Sequence, residues 1–234
     1  GDYETAKTMT EEQLKLAHEI GNRFAIASAY RRTCLDCRVR GDYARAEWAG
    51  QEAMRILLEM RDIHLNLTWI WNDLGSVSMA TRNYDEALTR FQNGLKLDNE
   101  GSQNPFSTNA NRRGIADAYV ALNRPEDAMP LYEQCLAHYE AVSNKRNIVL
   151  VLTGMIGVYR LRGDFTRAFE FALRALILAQ EMGTTTMTMN CLWEIAKGYD
   201  AQGNLPLATY FANLVADSRE TWAETRAYAQ DWLA

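Results

Sequence analysis

Five short segments of the sequence resemble one another and recur at a nearly constant interval. They are residues 41–46, 82–87, 123–128, 163–168 and 203–208, and each of them ends in alanine. These alanines stand at positions 46, 87, 128, 168 and 208, so the interval is 40 or 41 residues in every case. A fixed interval across five copies indicates that one structural unit is repeated along the chain.

Each segment is typical of the turn between two helices. Gly or Asn followed by Asp or Asn can end one helix and cap the next, and Pro125 suits the first turn of a helix. Apolar residues recur at helical spacing after the turn, as in Ala168, Phe171 and Ala175. One such helix pair cannot bury its apolar face alone. The sequence therefore predicts an all-α solenoid of antiparallel helix pairs, with about five full repeats.

We predict a single domain over residues 1–234, with a partial repeat or a cap helix at each end. The predicted units are a partial repeat at 10–22, full repeats at 24–62, 64–103, 105–143, 146–183 and 185–220, and a cap helix at 221–233. The predicted helices are 10–20, 24–40, 43–61, 64–81, 84–98, 106–121, 125–142, 146–161, 165–182, 186–201, 205–219 and 221–232.

The start of the chain resembles the end of a later repeat. Residues 16–21 (Leu-Ala-His-Glu-Ile-Gly) correspond to residues 178–183 (Leu-Ala-Gln-Glu-Met-Gly), which end a second helix. The ends are either caps, which stacked repeats need for solubility, or the cut ends of a longer array, and we favour the second. Pro130 interrupts a predicted helix, so a kink or a later helix start is expected there.

The second repeat carries the residue pattern of a known family. The matching residues are Trp71, Leu74, Gly75, Tyr84, Ala87 and Phe91. In this pattern the chain resembles tetratricopeptide repeat (TPR) proteins, and its longer interval resembles the repeats of kinesin light chains and of sensor arrays in bacterial signal-transducing ATPases and transcription regulators. The resemblance implies a right-handed superhelix whose first helices line a concave face. It also implies binding without catalysis and without a cofactor.

The net charge, the hydropathy and the cysteine content exclude several classes of function. The net charge of −5 disfavours phosphate backbones, so direct nucleic-acid binding is not expected. The sequence holds no apolar run long enough for a membrane span and no signal peptide, and its four cysteines are too few for a disulfide scaffold. We therefore expect a protein of the cytoplasm.

The sequence motifs give little support for a catalytic site or a metal site. The Cys34-x-x-Cys37 pair lies at packing positions of a first helix, and the sequence lacks a second cysteine pair that would complete a zinc site. The histidines at 18, 64 and 138 lie in different repeats, and their spacing forms no catalytic or metal-binding pattern. We therefore predict buried structural thiols and no enzyme activity.

The predicted binding surface is the inward side of the first helices. Helical spacing from the packing positions selects thirteen residues, called the first-helix set below. They are Arg31, Arg32, Arg38, Trp69, Asn72, Asp73, Arg113, Asp117, Arg160, Asn190, Trp193, Glu194 and Lys197. Six of them are basic and three are acidic, which favours an acidic partner unless the charges pair with one another. Asn72 and Asn190 are expected to hold a peptide backbone, with tryptophans as anchors.

Glycines in the same helices allow two interpretations. Gly114, Gly154 and Gly157 leave either a cavity in the groove or room for close helix packing.

Two functions remain from these observations. The first is a scaffold that binds another protein or a peptide. The second is a ligand- or peptide-sensing regulatory domain of a larger signal-transducing protein. Apolar ends of a repeat array also offer surfaces on which a second copy can dock.

Overall fold

The computed structural model describes residues 3–60, 64–102 and 104–234. These residues form twelve α-helices, one π-helical turn at Asp98–Ser102 and no strand. The helices are α1 (Tyr3–Ile20), α2 (Arg23–Arg40), α3 (Tyr43–Met60), α4 (His64–Ala80), α5 (Tyr84–Leu97), α6 (Pro105–Ala121), α7 (Pro125–Ala141), α8 (Lys145–Leu161), α9 (Phe165–Glu181), α10 (Thr185–Ala201), α11 (Leu205–Asp217) and α12 (Ala223–Leu233).

The predicted all-α repeat fold is confirmed, and most helix limits agree with the sequence-based ones. The main exception is α1, which begins at Tyr3 and not at residue 10. Its first turns carry no periodic apolar stripe, although residues such as Ala6 and Lys7 favour a helix. The predicted ends at 61, 62 and 103 lie outside the described residues.

Proline 130 does not delay the start of its helix. α7 begins at Pro125 and continues past Pro130, so the predicted late start is wrong. The proline removes one bond, to the carbonyl of Glu126, and both residues are exposed. Water can therefore satisfy that carbonyl, which keeps the cost of the proline small.

The recurring segments share one turn geometry. Each begins with a left-handed residue, namely Gly41, Arg82, Asn123, Gly163 and Gly203, with φ between 58° and 83°. In each, the next amide donates to a carbonyl five residues earlier, as from Asp42 to Cys37 (2.9 Å) and from Asp164 to Tyr159 (2.9 Å). These bonds satisfy carbonyls at the end of the first helix, so the turn predicted from the repeat is confirmed.

The helices pack on their neighbours along the chain, in two compact units, Gly1–Ala118 (unit 1) and Tyr119–Ala234 (unit 2). In unit 1, α2 packs on α3, α3 on α4 and α4 on α5. In unit 2 the same order runs from α7 to α12. The five repeat alanines at 46, 87, 128, 168 and 208 are at most 2% exposed.

No described helix is both long and apolar enough to cross a membrane.

Glycines allow the closest helix contacts. A Cβ atom on Gly114 would overlap the ring of Phe91, and one on Gly154 would overlap the ring of Tyr132. A Cβ atom on Gly157 would lie 3.0 Å from a methyl group of Val120. These glycines therefore serve close packing, and of the two interpretations the cavity is wrong.

We expect Gly154→Ala to destabilise the fold and Gly198→Ala to leave it unharmed. Overpacking against the fully buried Tyr132 should lower the free energy of unfolding by about 1–3 kcal/mol. At Gly198 the added methyl group meets Phe169 at an ordinary 3.5 Å, so alanine should raise the helix stability by up to about 1 kcal/mol. Urea unfolding of both variants measures the difference. Equal effects would contradict the packing described for Gly154.

Candidate functional site

The first-helix set is distributed over both units. Unit 1 holds Arg31, Arg32 and Arg38 on α2, Trp69, Asn72 and Asp73 on α4, and Arg113 and Asp117 on α6. Unit 2 holds Arg160 on α8 and Asn190, Trp193, Glu194 and Lys197 on α10. In unit 1 α2 contacts α4, and in unit 2 α8 contacts α10. Members from successive first helices can therefore meet within each unit.

The centre of the unit 1 site is an ion pair between α2 and α4. Nε of Arg31 donates to Oδ2 of Asp73 at 2.6 Å, and the Arg31 guanidinium lies 5.3 Å from the ring centre of Trp69. The Asp73 side chain is 7% exposed, and that of Arg31 is 31% exposed. Arginine is thus held between a buried carboxylate and an aromatic face, with one side open to solvent.

Burial raises the pKa of the Asp73 carboxyl. The positive charges of Arg31 and then Arg38 lower the pKa of the same carboxyl, but by less. Nε of Arg38 is itself buried and has no hydrogen-bond partner among the described residues. Unit 1 therefore holds a cation with unused donor capacity next to a carboxylate that is costly to ionise.

Two further charged residues of unit 1 have carboxylate partners on their own helices. Arg113 donates to Asp117 at 2.7 Å on α6. Arg32 lies 3.9 Å from Asp36, which also accepts a 2.5 Å bond from the hydroxyl of Thr10. The Arg32 side chain is 64% exposed, so its charge is the most accessible one in the unit 1 part of the set.

Both asparagines of the set are bonded within the array. Nδ2 of Asn72 donates to Oδ1 of Asn111 at 3.3 Å, and the hydroxyl of Thr225 donates to Oδ1 of Asn190 at 2.9 Å. Asn72 and Asn190 are also buried, at 8% and 9% exposure. Their role in holding a peptide backbone stays a prediction. A peptide would have to compete with these internal hydrogen bonds for the two amide groups.

Unit 2 carries a compact charge cluster on α8 and α10. Glu194 pairs with Lys197, whose ammonium group lies 5.8 Å from the ring centre of Trp193. Burial lowers the pKa of Lys197, while Glu194 opposes the shift and the nearby Arg160 adds to it. Nε of Arg160 and Oε2 of Glu194 are buried without a hydrogen-bond partner among the described residues. A donor on α8 and an acceptor on α10 therefore have spare hydrogen-bonding capacity.

Trp193 is a core residue as well as a member of the set. It is 8% exposed and packs with Ala212, Val215 and Ala229, with Trp232 at the edge of this cluster. Trp69 is only partly buried, so it presents more aromatic surface than Trp193 does.

The cysteines and histidines add no reactive centre in the described residues. All four cysteines are buried free thiols, and burial raises the pKa of Cys34 to about 12. A thiol with such a pKa is a poor nucleophile at neutral pH, which fits a packing role. No three His, Cys, Asp or Glu side chains of the described part of the chain come together as a metal site, and the side chain of His64 lies outside it.

Comparison with known proteins finds a family match for part of the chain. Residues 66–141 match the family model described as tetratricopeptide repeat. The chain has a TPR-like fold, and the family match itself spans 76 of its 234 residues. No curated protein matches the sequence of this TPR-like chain.

Solved structures extend the TPR-like fold over nearly the whole chain. BtubC (BKLC) from P. vanneervenii is 19% identical, with a TM-score of 0.64 over 97% of this chain and 91% of that one. A Rap protein complexed with competence and sporulation factor is 15% identical, with a TM-score of 0.76 over 95% of this chain and 59% of that one. A signal transduction ATPase with a TPR sensor from Pyrococcus horikoshii is 16% identical, with a TM-score of 0.61 over 99% of this chain and 37% of that one.

Several residues that contact the first-helix set were not predicted from sequence. Asp36 lies beside Arg32, and Asn111 is the partner of Asn72. Thr225 and Glu224, on α12, act on Asn190 and on the charge of Lys197. The α12 residues were missed because that helix was interpreted as a cap, although it occupies the position of a further first helix packed on α10 and α11.

We expect Arg31→Ala to destabilise the TPR-like fold most strongly at neutral pH. It leaves Asp73 buried without its guanidinium partner, which should cost about 2–3 kcal/mol because Arg31 is only partly exposed. The pKa of Asp73 is already raised by burial and should rise further without Arg31. The folded state then favours the protonated carboxyl, so the cost grows as the pH rises through that pKa and shrinks in acid.

The matched control is Lys145→Ala, which removes an exposed ion pair to Glu181. Its effect should stay within about 0.5 kcal/mol at every pH tested. Urea unfolding between pH 4 and pH 8 measures both variants. A pH-independent loss in Arg31→Ala would contradict the assignment to Asp73.

Proposed function

We propose that this chain is a non-catalytic module that binds a segment of another protein on the faces of its first helices. The observation that carries the proposal is the set of buried polar atoms without partners among the described residues. Nε of Arg38, Nε of Arg160 and Oε2 of Glu194 all belong to the first-helix set. An unsatisfied buried polar group costs about 1–3 kcal/mol. Because these atoms are out of contact with solvent, binding would turn the three side chains towards the ligand, which would then supply the missing partners.

The charges of the set favour an acidic segment. Its three acidic residues each have a basic partner within the set, in the pairs Arg31–Asp73, Arg113–Asp117 and Glu194–Lys197. Arg38 and Arg160 then supply the excess positive charge, since Arg32 lies 3.9 Å from Asp36 on its own helix. Carboxylates of a partner would meet these guanidinium groups in charge-assisted hydrogen bonds.

In unit 2 the remaining acceptor suits the backbone of a bound segment. Oε2 of Glu194 can accept an N–H group from an extended peptide, as can carboxylates in general. Trp69 supports the proposal as an aromatic anchor, because it is partly exposed and already holds Arg31 on one side. In unit 2, a peptide with an acidic side chain and a free backbone N–H group would use both Arg160 and Glu194.

The fold supports a binding role in general terms. TPR-like arrays are generally scaffolds for interaction, and one similar structure is a Rap protein complexed with competence and sporulation factor. Another is a signal transduction ATPase with a tetratricopeptide repeat sensor. That similarity favours a second candidate, a sensing domain in which ligand binding changes the arrangement of the helices.

Peptide selection tests the binding proposal. A library of random 12-residue peptides displayed on phage is selected on the whole chain, and the recovered peptides should be enriched in Asp and Glu. Arg38→Gln should weaken the peptides that bind unit 1 about tenfold, and Arg160→Gln should do the same for the peptides that bind unit 2, because one charge-assisted contact is lost. Fluorescence anisotropy measures the affinities.

The control is Arg174→Gln, which changes an exposed arginine on α9 that pairs with Glu140. It should leave peptide affinity unchanged. Peptides without acidic enrichment, or equal affinity for all three variants and the parent chain, would refute the proposed site.

Solution scattering separates the scaffold from the sensor. A scaffold keeps its radius of gyration when the selected peptide binds, whereas a sensor changes it. An unchanged radius at saturating peptide would remove the sensing alternative.

A further inference from the structure

The second helices of two successive repeats in unit 2, α9 and α11, carry large apolar side chains on their solvent side. These residues, called the outer patch below, are Leu173 and Ile177 on α9 and Leu207, Tyr210 and Leu214 on α11. Their exposed fractions are 59%, 48%, 39%, 58% and 41%. Within each helix they are three or four positions apart, so they share one side of that helix.

The two parts of the outer patch lie next to each other. Both α9 and α11 pack on α10. The ring centre of Tyr199 on α10 lies 4.9 Å from that of Phe169 on α9 and 5.8 Å from that of Phe211 on α11. One side chain thus contacts both helices, and their outer sides form one continuous surface.

An ion pair occupies the corresponding positions elsewhere in the array. Arg45 on α3 lies 3.5 Å from Glu11 on α1. By the repeat correspondences given above, these two positions become Leu207 on α11 and Leu173 on α9. Two leucines therefore stand where two earlier helices are joined by opposite charges.

The apolar character of α11 is specific to this repeat. Leu207, Tyr210 and Leu214 lie one position before, two after and six after the repeat alanine. The same three positions hold Arg45, Trp48 and Glu52 on α3, Glu86, Thr89 and Asn93 on α5, Asp127, Pro130 and Gln134 on α7, and Arg167, Glu170 and Arg174 on α9. All of these are exposed or half-buried, so stacking of the repeats does not cover this face. An apolar patch there indicates an interaction surface.

The size of the outer patch suits a contact between two folded chains. With about 200 Å² for a fully exposed large apolar residue, the exposed fractions of its five members amount to roughly 500 Å². Homodimer interfaces are about 65% apolar, so an apolar centre of this size with a polar rim corresponds to roughly 800 Å² per copy. A stable interface buries about that area on each partner.

The charges beside the outer patch are largely neutralised within the chain. α11 carries one charged residue, Asp217, at its last position. Three of the four charged residues of α9 pair with opposite charges, in Arg167–Asp164, Arg174–Glu140 and Glu181–Lys145. The surface therefore favours a neutral apolar partner over a charged one. A neutral apolar surface is also complementary to itself, as a contact between two identical faces requires.

We propose that the outer patch is a dimer contact, in which a second copy of this chain packs its own α9 and α11 on the same surface. A two-fold axis near Tyr210, with the helices of the two copies antiparallel, places Leu207 opposite the partner's Leu214. The same axis places Leu173 opposite the partner's Ile177. Because both copies use the same face, the contact closes at two chains.

This contact is separate from the surface proposed for peptide binding. The outer patch lies on second helices and contains no member of the first-helix set. The dimer therefore carries two copies of the peptide-binding surface. Loss of peptide binding does not imply loss of the dimer, and separate variants test the two proposals.

Analytical ultracentrifugation of the whole chain at micromolar concentrations tests the dimer. The parent chain should sediment as a dimer, without larger species. Tyr210→Glu should weaken the dimer at least about hundredfold, because the two-fold axis places both glutamates in an apolar contact. Leu214→Lys should have the same effect with the opposite charge. Circular dichroism checks that both variants remain folded.

The matched control is Leu58→Glu, because Leu58 is 55% exposed and lies on a second helix of unit 1, α3. This variant should remain dimeric. A parent chain that stays monomeric would overturn the proposal, and so would a dimer that both patch variants leave intact. A dimer that Leu16→Glu dissociates would place the contact on α1 and would also overturn it.

Discussion

The structure depends on very small side chains at the helix crossings. Ala46, Ala87, Ala128, Ala168 and Ala208 are nearly inaccessible to solvent, and glycines such as Gly114 and Gly154 admit whole aromatic rings. Close approach of the helices lets each pair bury its apolar side against the next pair, as stacked repeats must. The larger side chains of the first helices can then remain polar, because the close packing of the helix pairs already stabilises the fold.

Because small residues provide the packing, the first-helix set can consist largely of charged and polar residues. Arg31 and Asp73 bond across successive first helices, and Glu194 and Lys197 bond within one. Such pairs neutralise much of the charge that the sequence places on this face. The groups left with spare hydrogen-bonding capacity, above all the guanidinium groups of Arg38 and Arg160, are the ones that make the face suited to a ligand.

The sequence was sufficient to predict the helices and turns, because these depend on local signals. The left-handed residues at positions 41, 82, 123, 163 and 203 come from the recurring segments, and even Arg82 adopts the turn because its neighbours impose it. The start of α1 was missed, since a polar helical turn shows no apolar periodicity.

Side-chain partners were less predictable. Helical spacing places Arg31, Asn72 and Trp193 on a common side of their helices, but burial depends on what the neighbouring helix presents. Asn72 is buried because Asn111 lies opposite, and Trp193 is buried because α12 packs over α10. Neither contact has a signal in the spacing of a single helix. The predicted site therefore includes residues that stabilise the array as well as residues that remain available to a partner.

The repeating bonds between helix pairs have a consequence for synthesis of the protein. Side-chain bonds such as Arg90–Glu47, Arg162–Glu126 and Asn72–Asn111 join residues 43, 36 and 39 positions apart. Because each of these bonds joins neighbouring repeats, none of them requires a distant part of the chain. A ribosome that has released two neighbouring repeats has therefore supplied both partners of such a bond, and the nascent chain can fold progressively while its later part is still being translated.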